Sequence, residues 1–218
     1  MMPKKTPGKD LADLKRARVF ILSPASCGGR RAEILLNEKA TFDMACRVRS
    51  QQGAPLGEVF SFLSGLYFRG KLAYALRFAR ATVGLPGVLV ITPNRGLLPA
   101  TAPVSLADLR SFAEVPIDER DVRYCEPLRR DVNELSSRLG APAEVVLLGS
   151  IATSKYGNIL LEAFAERLLF PIEFVGRGDM SRGGLMLRHV DEGRELTYVP
   201  LAGAVRRGSR PARLPKRS

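Results

Sequence analysis

Tryptophan is absent, histidine occurs once, at His189, and cysteine three times, at Cys27, Cys46 and Cys125. So few imidazole and thiolate groups, without paired spacing, argue against a zinc site. Three scattered cysteines with no Cys-x-x-Cys cannot build a disulfide framework and read as reduced thiols of a cytoplasmic protein. No metal and no cofactor is expected. No apolar run approaches the roughly 18 residues of a membrane-spanning helix. The opening Met-Met-Pro-Lys-Lys leads into no apolar stretch of a secretory signal, so no membrane partner is expected either. Repeats of fixed period are missing, as are the G-x-x-x-x-G-K-[ST] and G-x-G-x-x-G phosphate loops and the G-x-S-x-G nucleophile elbow.

What is present is a chain of 218 residues with a formal charge of +12, long enough for one domain with a sizeable core. The charge is unevenly spread. Residues 1–18 hold six Lys/Arg against two Asp, and residues 203–218 hold six and no acid. The body, 19–202, is close to neutral. Both ends are rich in Pro, Gly and Ser, have no apolar period, and read as disordered tails making few contacts with the body. Such tails either add salt-sensitive affinity for phosphate backbones or only solubilise the chain.

Within the body, four short apolar runs read as buried strands: 19–22, 88–91, 145–148 and 172–175. Helical segments separate them, over 31–36, 41–49, the second half of 58–82 with a turn near Ser64-Gly65, a stretch capped by Ser105, then 118–139 and 154–168. Phe68, Leu72, Ala75, Leu76 and Ala79 share one apolar arc of the helix in 58–82. Residues 185–187 and 196–199 read as short strands joined by a turn at Asp191-Glu-Gly193. Helices alternating with continuously apolar strands predict an α/β fold: a three-layer αβα sandwich with a mostly parallel central sheet and a short C-terminal hairpin.

In such sheets ligands gather at the carboxyl ends of the strands. Four predicted strand exits carry suitable residues: Ser23 and Ser26 in 23–29, Asn94 in 92–96, Ser150 in 149–154, and Arg177, Asp179 and Arg182 in the glycine-rich segment 176–184. Arg177 and Arg182 suit forked hydrogen bonding to an anion. Asp179 suits a general base or a hydrogen-bond acceptor for a base edge. Arg69, Lys71, Arg77 and Arg80 place four cations within twelve residues without an acid. They read either as a phosphate-tracking surface, with Tyr67 and Tyr74 placed to stack a base, or as a solvated helix face.

The succession Leu66-Tyr-Phe-Arg-Gly-Lys71, Ile91-Thr-Pro-Asn-Arg-Gly-Leu-Leu98 and Val145-Val-Leu-Leu-Gly-Ser150 resembles that of a group of uncharacterised bacterial and phage α/β proteins. More distantly, together with the segment Gly176–Arg188, it is similar to the C-terminal half of the uracil-DNA-glycosylase fold, in which a strand-end loop approaches a flipped base. The resemblance implies ligand contacts at Asn94, Ser150 and the 177–182 segment. In this chain Gly-Asp-Met-Ser181 stands where that fold has His-Pro-Ser. The expected activity is therefore processing of a nucleobase, nucleotide or nucleic acid in a pocket at the strand ends. The alternatives are a non-catalytic nucleic-acid-binding or regulatory protein using the basic tails, and an assembly module with a protein partner on the apolar segment 58–68.

Overall fold

The computed structural model describes residues 16–140, 142–152, 155–212 and 214. Most of the N-terminal tail, residues 1–15, and the last residues, 215–218, lie outside them. The first half of the chain runs β1 (Arg18–Leu22), α1 (Arg30–Leu36), α2 (Asp43–Arg49), β2 (Ala54–Pro55), α3 (Leu56–Ser64), α4 (Leu66–Phe78), β3 (Val88–Ile91), β4 (Leu97–Pro99) and β5 (Pro103–Val104). The second half runs α5 (Leu106–Ala113), α6 (Val122–Arg138), β6 (Glu144–Leu148), α7 (Gly157–Phe164), β7 (Leu168–Pro171), α8 (Asp179–Asp191) and β8 (Tyr198–Pro200).

Six strands form one sheet in the order β4-β3-β1-β6-β7-β8. The four central strands are parallel, with Phe20 opposite both Val88 and Val146, and Val145 opposite Leu168. Each edge strand, β4 and β8, runs antiparallel to its neighbour. Alternation along the strands feeds two cores. Phe20, Leu22, Val90, Val146 and Leu148 point to the side covered by α1 to α5 and α8. Val19, Ile21, Ile91, Val145 and Leu147 point to the side covered by α6 and α7. The expected three-layer α/β sandwich is the observed architecture. No helix among the described residues is long and apolar enough to cross a membrane.

Three of the four predicted strands lie where the apolar runs put them. The fourth is displaced: β7 is Leu168–Pro171, and Ile172–Phe174 is a 3₁₀ turn. The run from Leu168 to Val175 is apolar almost throughout, so hydrophobicity alone does not say where the strand stops. Pro171 does, because it cannot continue the ladder. A second correction concerns the segment 176–191. Asp179–Asp191 is a helix, so 185–187 is no strand and Asp191-Glu-Gly193 closes a helix rather than a hairpin. The antiparallel partner of β8 is β7.

Gly183, which weakens α8 as an isolated helix, is what its packing requires. A Cβ on Gly183 would lie 2.7 Å from the Leu66 carbonyl oxygen, and one on Gly70 would lie 2.7 Å from that of Gly183. The backbones of α4 and α8 therefore touch, and only glycine permits it. Gly65, at φ +64°, makes the sharp corner between α3 and α4. The buried face of α4 is set by Tyr67, Phe68, Lys71, Tyr74, Ala75 and Phe78, whereas Leu76 is 60% exposed. The apolar arc expected from the sequence is thus rotated toward the aromatic residues.

The described part of the C-terminal tail also departs from expectation. Gly208 and Ser209 pass directly over Val175 and Gly176, and the Ala212 carbonyl accepts a bond from Arg177 at 3.4 Å. Leu214 packs at the rim of the core.

Candidate functional site

Strand β1 is the point where the chain order reverses, β3 on one side and β6 on the other, and such a switch point opens a crevice beyond the strand ends. Here the crevice is a cleft of about 670 Å³. Its walls are Ser23 to Gly28 after β1, Pro93 after β3, and Ser150, Lys155 and Tyr156 after β6. Ser64 at the end of α3, Tyr67 at the start of α4, the stretch from Phe112 to Ile117 around the end of α5, and Asp179 at the head of α8 complete it. The N-terminus of α5 is closed by a capping box in which Ser105 and Asp108 bond each other's backbone.

Four residues selected from the sequence therefore meet in one cleft: Ser23, Ser26, Ser150 and Asp179. Three others do not line it. Arg182 is 7% exposed and turned into the body, where Nε and a terminal nitrogen donate to the Phe174 carbonyl at 3.2 and 3.1 Å. It reaches Asp179 at 3.4 Å. Arg177 donates to the Glu173 carbonyl at 3.1 Å and to the Ser181 hydroxyl at 3.2 Å. Both arginines hold the chain around the Phe174 turn instead of presenting forks to an anion. Asn94 donates to the Ser111 carbonyl at 3.1 Å and to its hydroxyl, tying the β3 exit to α5.

The four-cation segment is divided as well. Arg69 and Arg77 are exposed, the latter over the Phe78 ring at 5.6 Å. Arg80 pairs with the backbone of Arg18 and reaches Glu195 at 3.3 Å. Lys71 is no surface cation: it is 1% exposed, beneath the β1 exit. Its Nζ donates to the Ser23 carbonyl at 2.6 Å and to the Ser23 hydroxyl at 2.9 Å, and lies 4.6 Å from the ring centres of both Tyr67 and Phe68. Burial lowers the Lys71 amine to about 7, opposed by the charge of Asp179 and assisted by that of Arg182.

Other polar groups at the cleft are held or waiting. Tyr156 donates to the Ser150 carbonyl at 2.8 Å and its hydroxyl stands beside Ser23. A Cβ on Gly149 would lie 2.7 Å from that hydroxyl and 2.8 Å from the Ser23 Cβ, so glycine lets the β1 and β6 exits close up. The Tyr67 hydroxyl is buried without a hydrogen-bond partner, facing Arg182 but outside bonding geometry, and burial drives its pKa upward. Cys27 lines the cleft, but burial pushes its thiol up to about 12, which leaves it protonated and unreactive. No group of metal-ligating side chains occurs among the described residues.

Phe112, Lys155 and Tyr156 are brought to the cleft, and Lys71 to its buried position, by the fold. For Lys71 a signal existed: Tyr67, Lys71, Tyr74 and Phe78 recur at helical spacing, a face as apolar as the one preferred. Nothing in the sequence near Phe112 marks it as a cleft wall, because only the turn after α5 brings it there. In comparisons with protein-family models, with curated proteins and with solved structures, nothing matches this chain.

Proposed function

We propose that the cleft binds a nucleobase, free or within a nucleoside, nucleotide or strand, and that the chain processes it at the carboxyl ends of β1 and β6. One observation carries this reading. Aromatic residues Tyr67, Phe112 and Tyr156 share a cleft with the hydroxyls of Ser23, Ser26 and Ser150 and with a single carboxylate, Asp179. A planar ligand with donors and acceptors on its edge suits such a mixture of flat apolar walls and few polar groups. The Tyr67 hydroxyl, lacking a partner, supplies one more hydrogen bond that a ligand can satisfy. Lys155 is the only cation among the described lining residues, and both candidate arginine forks are engaged elsewhere. The base, rather than a phosphate, is thus what the cleft selects.

Calorimetric titration with the free bases, their nucleosides and their 5′-monophosphates tests it. At least one base binds, and adding a phosphate tightens binding less than tenfold. Asp179→Asn weakens binding about tenfold or more, since a hydrogen bond to a charged acceptor contributes about 1.5–3 kcal/mol. The reading fails if folded protein binds no base, or if inorganic phosphate competes with the base for the cleft.

A further inference from the structure

Base recognition does not account for Lys71. An ammonium group is costly to bury without a carboxylate, and among the described residues no carboxylate stands within ion-pair distance of it. A methionine would fill the same face of α4 at no such cost. What Lys71 does touch is the hydroxyl of the first residue after β1, at 2.9 Å, within the distance over which a base takes a proton from a nucleophile. Its head is fixed by the Ser23 carbonyl at 2.6 Å and by two aromatic rings. Ser23 is itself one of the residues that line the cleft. We propose that Ser23 is a nucleophile and Lys71 its general base, forming a dyad that cleaves activated acyl compounds, esters above all, that enter this cleft.

The step balances within the dyad. Neutral Lys71 takes the Ser23 proton while Oγ bonds to the acyl carbon. The resulting ammonium returns that proton to the departing alcohol as its bond to carbon breaks. Lys71 then takes a proton from water as the water oxygen bonds to the acyl carbon, and returns that proton to the Ser23 oxygen as its bond to carbon breaks, which releases the acid and restores the dyad. The charged and titratable groups around the amine are Tyr67 on α4, Asp179 and Arg182 on α8, and Tyr156 after β6. Burial dominates over the opposed charges of Asp179 and Arg182, so the amine is available as a base at neutral pH.

A fluorophosphonate probe tests the dyad, because its phosphorus takes the Ser23 oxygen and expels fluoride. It carries no base, so its outcome is independent of nucleobase binding. Intact wild-type protein should be labelled once, at Ser23 by peptide mapping, with a rate that rises to a plateau through a midpoint near pH 7. Ser23→Ala should abolish labelling, and Lys71→Met should slow it about 100-fold or more, the range of a lost general base. Circular dichroism establishes that the variants are folded. If Lys71→Met does not fold, the wild-type pH profile decides alone: a plateau supports the dyad, and a rate that climbs tenfold per pH unit without inflection overturns it. Absence of label at Ser23, or label retained at full rate in folded Lys71→Met, also overturns it.

Discussion

Burial of Lys71 has a thermodynamic signature that can be read without any ligand. In the unfolded chain the amine titrates near 10.5; in the folded protein burial lowers it to about 7. Between those values the unfolded state binds a proton that the folded state has released. Stability therefore rises with pH across the window, by about 1.4 kcal/mol per unit. Below about pH 7 both states are protonated and the full cost of the buried charge is present, on the order of 5 kcal/mol. Urea unfolding of wild type and of Lys71→Met at intervals from pH 6 to pH 9 measures this. Other buried groups contribute slopes of their own: Cys27, raised by burial to about 12, lowers stability once the unfolded thiol ionises near 9. Those slopes are common to both proteins and cancel in the difference. The wild type should gain on the variant by about 2–3 kcal/mol between pH 7 and pH 9. Parallel stability curves would refute the argument, since they would mean that Lys71 keeps its proton in the folded state.

Two further predictions concern packing. Gly183→Ala places a methyl 2.7 Å from the Leu66 carbonyl oxygen and 2.9 Å from the Tyr67 Cα, neither of which can swing aside, so chemical denaturation should show a loss of about 1–3 kcal/mol. Arg182→Ala leaves the Phe174 carbonyl without either of its guanidinium donors. It should cost about 1–3 kcal/mol of stability, measurable by the same method. A stability equal to wild type would show that these two hydrogen bonds contribute nothing net to the fold.

How far the sequence speaks depends on whether a signal is local. The strands β1, β3 and β6 are short, continuously apolar and bounded by Pro, Gly or Ser, so composition places them, and the helices between them force parallel pairing. Ser23, Ser26 and Ser150 follow directly, because they leave those strands at a common edge. The head of α8 was hidden. Gly178, Gly183 and Gly184 resemble a loop until α4 is seen pressed against Gly183, and at that position glycine is what a close helix crossing demands. Arg177 and Arg182 read as anion forks for a related reason: the partners they have in the fold, the Glu173 and Phe174 carbonyls, are backbone atoms and leave no trace in residue identity. Lys71 shows the limit most sharply. Four nearby cations suggest a surface, yet the helix turns one of them inward, and only its neighbours at helical spacing reveal which.

Where Gly70 and Gly183 meet, two main chains lie in direct contact, with no side chain between them to act as a cushion or bearing. A joint of that kind does not slide, because any shift along either axis drives a neighbouring side chain into bare backbone. Helices α4 and α8 are consequently locked against sliding at this crossing. Tyr67 and Lys71 ride on the first, Asp179 and Arg182 on the second. This half of the cleft is a fixed jaw, with the spacing between its hydroxyl, amine and carboxylate preset before any ligand arrives. The opposing wall, Pro24 to Gly28 and Phe112 to Ile117, is built differently, from the β1 exit and the end of α5, which meet the cleft through side chains.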